Sequence, residues 1–462
     1  MMEISDSKTY LTGRSLAYVG LVVLSSVLAL GLVHGYAFIC FALVLGGLWV
    51  LTGLCYPFVG LLCYTIFILV RPQEFIAGLA FPMIEKVIVA PVLVGMILKM
   101  IRQSGSKIAI NSIDKRVAFF VIIALLSVLT SIWIGGAFDK WINVLRLFII
   151  YVLIGKLIDS KQQFRLYLFF IILTTGFHAV ASTINYYQGV RQFTMGVERA
   201  VGLDQTYGAP NSLAATIVYT LPFIYFYIKS DSARLTRLFL FVLFGICVWC
   251  IILTGSRTGM LAIVFVSFVM ALEARHRLRN LLVGALVLAA IWVVTPDQYK
   301  DRFASSVDFD SGTGAARSAQ GRIQGLVNGI KMMIDRPLLG VGVGQYPVAL
   351  SMRYGKGWWE AHSLPGQLMG DLGLLGTIAF IVWIATLFRS LARTKRLYAD
   401  DVFIHNMIIA LRVQLLCLLF MGLGGHNLYR YNWFFISALT AVILRLPFAS
   451  EETNAQPLQR EG

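Results

Sequence analysis

Five arginines and two histidines carry the chemistry that this sequence can offer. Arg257 stands in TGSRTG, Arg199 in ERAVGL, Arg191 eight positions earlier, Arg322 in GRIQGLVNGIKMMIDRPLLG, and Arg430 in GGHNLYRYNW. Guanidinium groups hold phosphate oxygens in pairs, so several on one face suit a doubly charged anion such as a diphosphate. His362, in GWWEAHSLPGQ, has an imidazole that can take a proton from a hydroxyl near neutral pH. Glu360, two residues before it, can orient that imidazole or serve as the base itself. His426 and Arg430 form an accessory pair of the same kind. Each residue also has a plainer reading. Arg257 serves equally as a snorkelling anchor, Arg199 as the partner of Glu198, Arg322 as a solvated face, and His362 as an interfacial group beside Trp358 and Trp359.

Other chemistries are excluded by what is missing. There is no Ser-His-Asp spacing, P-loop or paired carboxylate. Asp297, Asp301, Asp308, Asp310 and Asp335 do not include the adjacent pair that would hold a metal on a diphosphate. A site without metal or cofactor is expected. GVGVGQYP resembles a phosphate-cradling loop, but no strand precedes it in a βαβ unit, so it reads as a tight turn after RPLLG. The six cysteines all lie in apolar runs, and Cys247 and Cys250 read as packing residues within one of them.

The elements that must position these groups are membrane helices. The hydrophobic fraction is 58%, charged residues make up 13%, and the mean hydropathy is +0.77. Soluble domains do not reach such values. Apolar runs fall at 15–33, 36–53, 54–70, 84–101, 117–134, 143–158, 164–184, 211–228, 236–254, 257–273, 280–295, 366–388, 402–423 and 431–447. Most are long enough for a hydrocarbon core of ~30 Å at ~1.5 Å per residue. Three crowded runs at the start leave 12–14 spans as the expected number. The first run follows Lys8 and Arg14 in the manner of a signal peptide, but no small-residue cleavage site follows, so an uncleaved helix is expected.

Charge then sets sidedness. The formal net charge is +16, from 39 basic and 23 acidic residues. Basic clusters occur at every second loop, as at Lys156, Lys161 and Arg165, or Arg389, Arg393, Lys395 and Arg396. That alternation is the positive-inside rule and removes the need for a nucleic-acid partner. It puts both termini inside and leaves the five arginines on the outer face. The largest outward interval, 296–365, contains Ile323, Leu326, Ile330 and Ile334 at helical spacing, the mark of an amphipathic helix. The expected architecture is an all-α polytopic membrane protein. Its membrane domain covers 1–447, with 296–365 inserted as one large external loop, and a polar inner tail occupies 448–462.

Taken in order, ERAVGLDQTYGAPNSLA, TGSRTGMLA, GRIQGLVNGIKMMIDRPLLGVGVGQY and AHSLPGQLMGDLGLLG resemble the motif series of the O-antigen ligase and O-antigen polymerase superfamily. The resemblance covers about Glu198 to Gly376. It departs at Leu326, where the family usually has tryptophan, and at Pro365 and Gly366, where an aromatic and an apolar residue are common. The resemblance implies a glycosyltransferase of the bacterial inner membrane. Such an enzyme moves a glycan from undecaprenyl diphosphate to an acceptor hydroxyl on the periplasmic side. Arg257, Arg322, and Arg199 or Arg191 would bind the diphosphate, and His362 would activate the acceptor. A ligase, which uses an acceptor glycolipid such as the lipid A core, is the leading expectation. A polymerase that extends a growing polysaccharide is the alternative. A transporter of an anionic lipid-linked sugar is the rival from another class, although the chain lacks the paired interrupted helices common in transporters.

Overall fold

The computed structural model describes residues 37–76, 83–102, 110–194, 196–203, 208–230, 233–274, 276–304 and 314–446. The expected first span at 15–33 and the tail at 448–462 lie outside these residues. The other thirteen apolar runs each coincide with a helix. In chain order these are α1 (Ala37–Cys55), α2 (Pro57–Val70), α3 (Ile84–Arg102), α4 (Ser112–Leu129), α5 (Ile134–Leu157), α6 (Lys161–Tyr187), α7 (Pro210–Ser230), α8 (Arg234–Leu253), α9 (Arg257–Glu273) and α10 (Arg277–Val294). The interval after α10 contributes α11 (Asp297–Ala304), α12 (Gly314–Asp335) and α13 (Tyr346–Met352). The chain then runs through α14 (Leu364–Leu397), α15 (Val402–Gly422) and α16 (Tyr431–Arg445). A short antiparallel hairpin, β1 (Arg191–Thr194) and β2 (Val197–Ala200), follows α6.

The protein is an all-α polytopic membrane protein. Among the described residues six helices, α6, α7, α8, α10, α14 and α15, are long and apolar enough to cross a bilayer by length and composition. Helix starts follow side chains written in the sequence. Asn111 and Asp114 form a reciprocal capping box at α4, and Ser160, Ser256, Ser363 and Asp401 each accept a backbone N–H at the start of α6, α9, α14 and α15.

The chain divides into two compact units. One comprises residues 1–61 and 83–104; within it α1 and α3 pack together, and the Trp49 indole donates to the Ile88 carbonyl at 3.1 Å. The other comprises 62–82 and 105–462 and contains every residue considered below.

In this second unit α14 is broken at Gly373, whose φ of 60° and ψ of −155° interrupt the helix. The break frees backbone groups that an apolar setting cannot leave unpaired. The glycine-rich turn after α12 takes them. Leu374 N–H donates to Pro337 O at 2.8 Å and Leu375 N–H to Leu338 O at 3.1 Å, while Gly370 O and Asp371 O accept from Val341 and Gly342 at 2.9 and 3.0 Å. The amides of Val343 and Gly344 donate to Ser127 Oγ and the Tyr429 hydroxyl. The turn therefore uses these N–H groups on protein partners, as the turn reading requires.

The amphipathic helix α12 packs with a face other than its apolar stripe. Ile323 and Ile334 stay 65% and 70% exposed, whereas Gly325 and Gly329 meet the backbone of α14 and the residue pair before it. A methyl group on Gly325 would lie 1.7 Å from Ala361 O, and one on Gly329 2.2 Å from Gly366 O. The two backbones approach as closely as small-residue crossings in membranes allow. The loop also has a core of its own, formed by Met332, Val341, Tyr346, Ala349, Leu350 and Ala361.

Gly325→Ala should destabilise the protein by ~1–3 kcal/mol through forced separation of these backbones. Gly321→Ala, one turn earlier with nothing within 4 Å of the added methyl, should be neutral or slightly stabilising. Thermal unfolding in detergent compares the two, and equal midpoints would refute the close-packing account.

Candidate functional site

The corner between α8 and α9 is the anchor of the site. Gly255, with φ of 56°, turns the chain, and Ser256 caps α9 by accepting from Gly259 N–H at 3.2 Å. The end of α8 leaves carbonyls pointing out of the helix, where cations and donors are favoured. Arg199 Nε donates to Thr254 O at 2.6 Å, Arg302 Nε donates to Gly255 O at 2.6 Å, and the Tyr299 hydroxyl lies 3.3 Å from Leu253 O. Arg199 is 4% exposed and also donates to Asn211 Oδ1 at 2.7 Å. Burial, then the charges of Arg302 and Arg257, push its pKa down to about 10. Two buried guanidiniums thus close one helix end, and a third, Arg257, begins the next helix.

Arg257 has neither a hydrogen bond nor an ion pair among the described residues, and it is half-buried. Arg322 reaches the same place from α12. Its Nη2 donates to Thr258 Oγ1 at 3.0 Å, and its guanidinium lies against Gly424 in the loop between α15 and α16. Burial and the charge of Arg257 lower its pKa. Arg199, Arg257, Arg302 and Arg322 therefore form one cationic cluster in which the charges of Arg199, Arg302 and Arg322 are each perturbed by Arg257.

His362 faces this cluster. Its φ of 47° is left-handed, one of two positive values at non-glycine residues among those described. Such a backbone costs about 1–3 kcal/mol and persists only where the surroundings impose it. The His362 ring stands 5.4 Å, centroid to centroid, from that of His426 at an interplanar angle of 67°. Desolvation within the recess and then the charge of Arg322 lower the pKa of His362, although the residue stays accessible. His426 is lowered to about 4 by desolvation first, then by His362, Arg430 and Lys140. Both shifts favour the neutral imidazole, the form that can accept a proton.

Beside His362 lies a cavity of about 270 Å³ bounded by Gln324, Asn328, Tyr346, Lys356, Trp359 and Glu360. Asn328 Oδ1 accepts from Gln324 Nε2 at 3.0 Å and from Lys356 Nζ at 3.1 Å. Desolvation raises the Glu360 carboxyl, with Lys140 opposing. A flat indole together with amide, ammonium and carboxyl groups is a lining on which a sugar can stack and hydrogen-bond.

The remaining sequence-derived candidates are placed differently. Arg191 pairs with Glu198 at 2.8 Å across the hairpin, so Glu198 is turned to Arg191 rather than to its neighbour Arg199. Arg430 occupies the N-cap position of α16 without a side-chain cap hydrogen bond and donates to Ser212 Oγ at 2.9 Å. Arg302, Tyr299 and Lys140 are the groups that sequence reasoning did not single out. Arg302 sits in a short polar helix among other charges, and nothing local signals that its partner is a carbonyl 47 positions earlier. The i, i+3 spacing of Tyr299 and Arg302 puts both on one face of α11, which is the only hint of it.

Fold and site together define a polytopic helical membrane protein with a guanidinium cluster set against a strained histidine. Residues 239–381 are similar to the family described as O-antigen ligase. That similarity points to a glycosyltransferase-like enzyme. The matched segment contains Arg257, Arg302, Arg322, Glu360 and His362; Arg191, Arg199, His426 and Arg430 lie outside it. A comparison with curated proteins finds no match.

The pKa of His362 should lie below the ordinary histidine value of 6.5. Because Arg322 contributes to the lowering, Arg322→Gln should move it upward. Carbethoxylation of neutral imidazole, followed at His362 by mass spectrometry as a function of pH, reads both values. A midpoint that does not rise in the variant would contradict the electrostatic link.

Proposed function

We propose that this protein is a glycan ligase of the superfamily, transferring a glycan from undecaprenyl diphosphate to a hydroxyl of an acceptor glycolipid at the periplasmic face. The observation that carries this reading is the meeting of Arg257, without a polar partner among the described residues, Arg322, and His362 from three separate chain segments. An unpartnered, partly desolvated guanidinium is costly unless an anion completes it. A diphosphate would do so between Arg257 and Arg322, while Arg199 and Arg302 hold the corner and add to the positive field.

The steps follow from charge. The acceptor oxygen attacks the anomeric carbon as His362 takes its proton. The bond between that carbon and the diphosphate oxygen breaks, and the electron pair leaves with the diphosphate. Arg257 and Arg322 stabilise the negative charge that builds on the leaving group, which is where fixed donors contribute most. The His426 ring lies beside that of His362, and Arg430 adds positive charge that disfavours protonation of His426. Glu360 and the cavity beside His362 would receive the acceptor sugar. Arg191, tied to Glu198, is assigned the hairpin rather than the diphosphate.

His362→Ala should lower transfer by about 10²–10⁴-fold, as loss of a positioned base does. Arg257→Ala should lower it by ~10²–10³-fold, comparable to loss of a charge-stabilising donor. Both variants should insert and fold normally. A reconstituted assay with a lipid-diphosphate glycan checks this, and full turnover by either variant would remove that residue from the mechanism. Analysis of the reducing end of the product separates ligase from polymerase: chains still attached to diphosphate carrier would favour the polymerase.

A further inference from the structure

A second basic recess lies between α4 and α14, away from the arginine–histidine site. It has a volume of about 310 Å³ and is bounded by Ser112, Arg116, Thr386, Arg389, Ser390 and Arg393. Its floor is fixed: α4 and α14 pack closely, with Ile113, Leu387 and Leu391 buried. The Phe120 and Trp383 rings, 5.2 Å apart, lock the crossing further along.

Among the described residues no carboxylate lines this recess. Arg116, Arg389 and Arg393 have neither ion pair nor hydrogen bond among the described residues. Other basic residues do find acids: Lys161 pairs with Asp401 at 2.6 Å, and Lys395 and Arg412 both pair with Glu273, at 2.5 and 3.0 Å. The carboxylate nearest in sequence to Arg116 is Asp114, and it is engaged by the Tyr151 hydroxyl and the Asn111 N–H. Lys115 adds to the positive charge of this region. Thr386 donates its hydroxyl to Val382 O, and Ser112 and Ser390 also line the recess.

The position along the helices selects the ligand. After Asp371 the next charged residue of α14 is Arg389, so an uncharged stretch of 17 residues separates them. At ~1.5 Å per residue this stretch nearly fills a hydrocarbon core of ~30 Å. Arg116 likewise stands immediately before the apolar run that begins at Val117 in α4. All three guanidiniums therefore sit one step outside the apolar layer, at the level of lipid phosphates. Basic recesses between helices at that depth suit anionic headgroups.

We propose that Arg116, Arg389 and Arg393 bind a phosphate group at the membrane surface, supplied by the headgroup of an anionic phospholipid. The guanidiniums take the phosphate oxygens and the serine hydroxyls a neighbouring polar oxygen. The acyl chains lie along the apolar faces of α4 and α14, where Phe119, Ile122 and Ile378 are exposed. The site is separate from the transfer chemistry and does not rest on it.

Native mass spectrometry of the full-length, delipidated protein tests the proposal. The probes are a dioleoyl phosphatidylglycerol, a dioleoyl phosphatidylcholine and inorganic phosphate. The expected result is retention of phosphatidylglycerol at least tenfold tighter than phosphatidylcholine, with loss of that preference in R116Q/R389Q/R393Q. R389Q alone should lose part of it, and guards against a triple variant that fails to fold. Equal retention of both lipids, or an unchanged preference in variants that fold, would overturn the proposal. Binding of inorganic phosphate without retention of phosphatidylglycerol would overturn the lipid as its source.

Discussion

Asp371 is the point on which the second unit depends. It is fully buried in α14, two residues before the break at Gly373. One carboxylate oxygen accepts from Tyr346 N–H at 2.8 Å and the other from the Tyr429 hydroxyl at 2.9 Å, while its carbonyl accepts from Gly342. A single residue thus ties the start of α13, the glycine-rich turn and the loop before α16 to one helix. An isolated buried carboxylate would be untenable, and these donors are what make its burial tolerable. Because the same turn also repairs the broken helix, the large loop cannot shift without exposing unpaired backbone. Arg322, Glu360 and His362 derive their fixed positions from that constraint.

The second organising effect is the division of labour among arginines. Guanidiniums at the end of α8 satisfy carbonyls, and one across the corner has no polar partner among the described residues. Arg199 and Arg302 are the former and Arg257 the latter, although all three lie within one electrostatic neighbourhood. Such a corner holds like charges together before any anion arrives. The repulsion is borne by the helix end, whose carbonyl dipoles face two of the cations.

Much of this was legible in the sequence, for definable reasons. Helices were read well because the apolar runs are bounded by caps and charges, and a run such as 257–273 is delimited at both ends by its own residues. The association of Arg257, Arg322 and His362 was legible through motif order rather than through spacing. What stayed hidden was long-range pairing. Nothing local reveals that Glu198 turns across the hairpin to Arg191, because strand register sets that contact. The apolar spacing of α12 was plain, but which stripe meets protein was not. The stripe of isoleucines drew attention while two glycines made the contact. Arg302 and Tyr299 were hidden for a related reason, since their partners are backbone carbonyls, and a carbonyl has no signature in a sequence.

The left-handed backbone at His362 sets two kinds of fitness against each other at one position. Glycine would relax the main chain there, since it alone adopts such a φ without steric cost. A lineage, or a laboratory campaign, that rewarded heat resistance alone would therefore drift toward glycine at this site and away from the imidazole. The residue found there is a record of which demand prevailed.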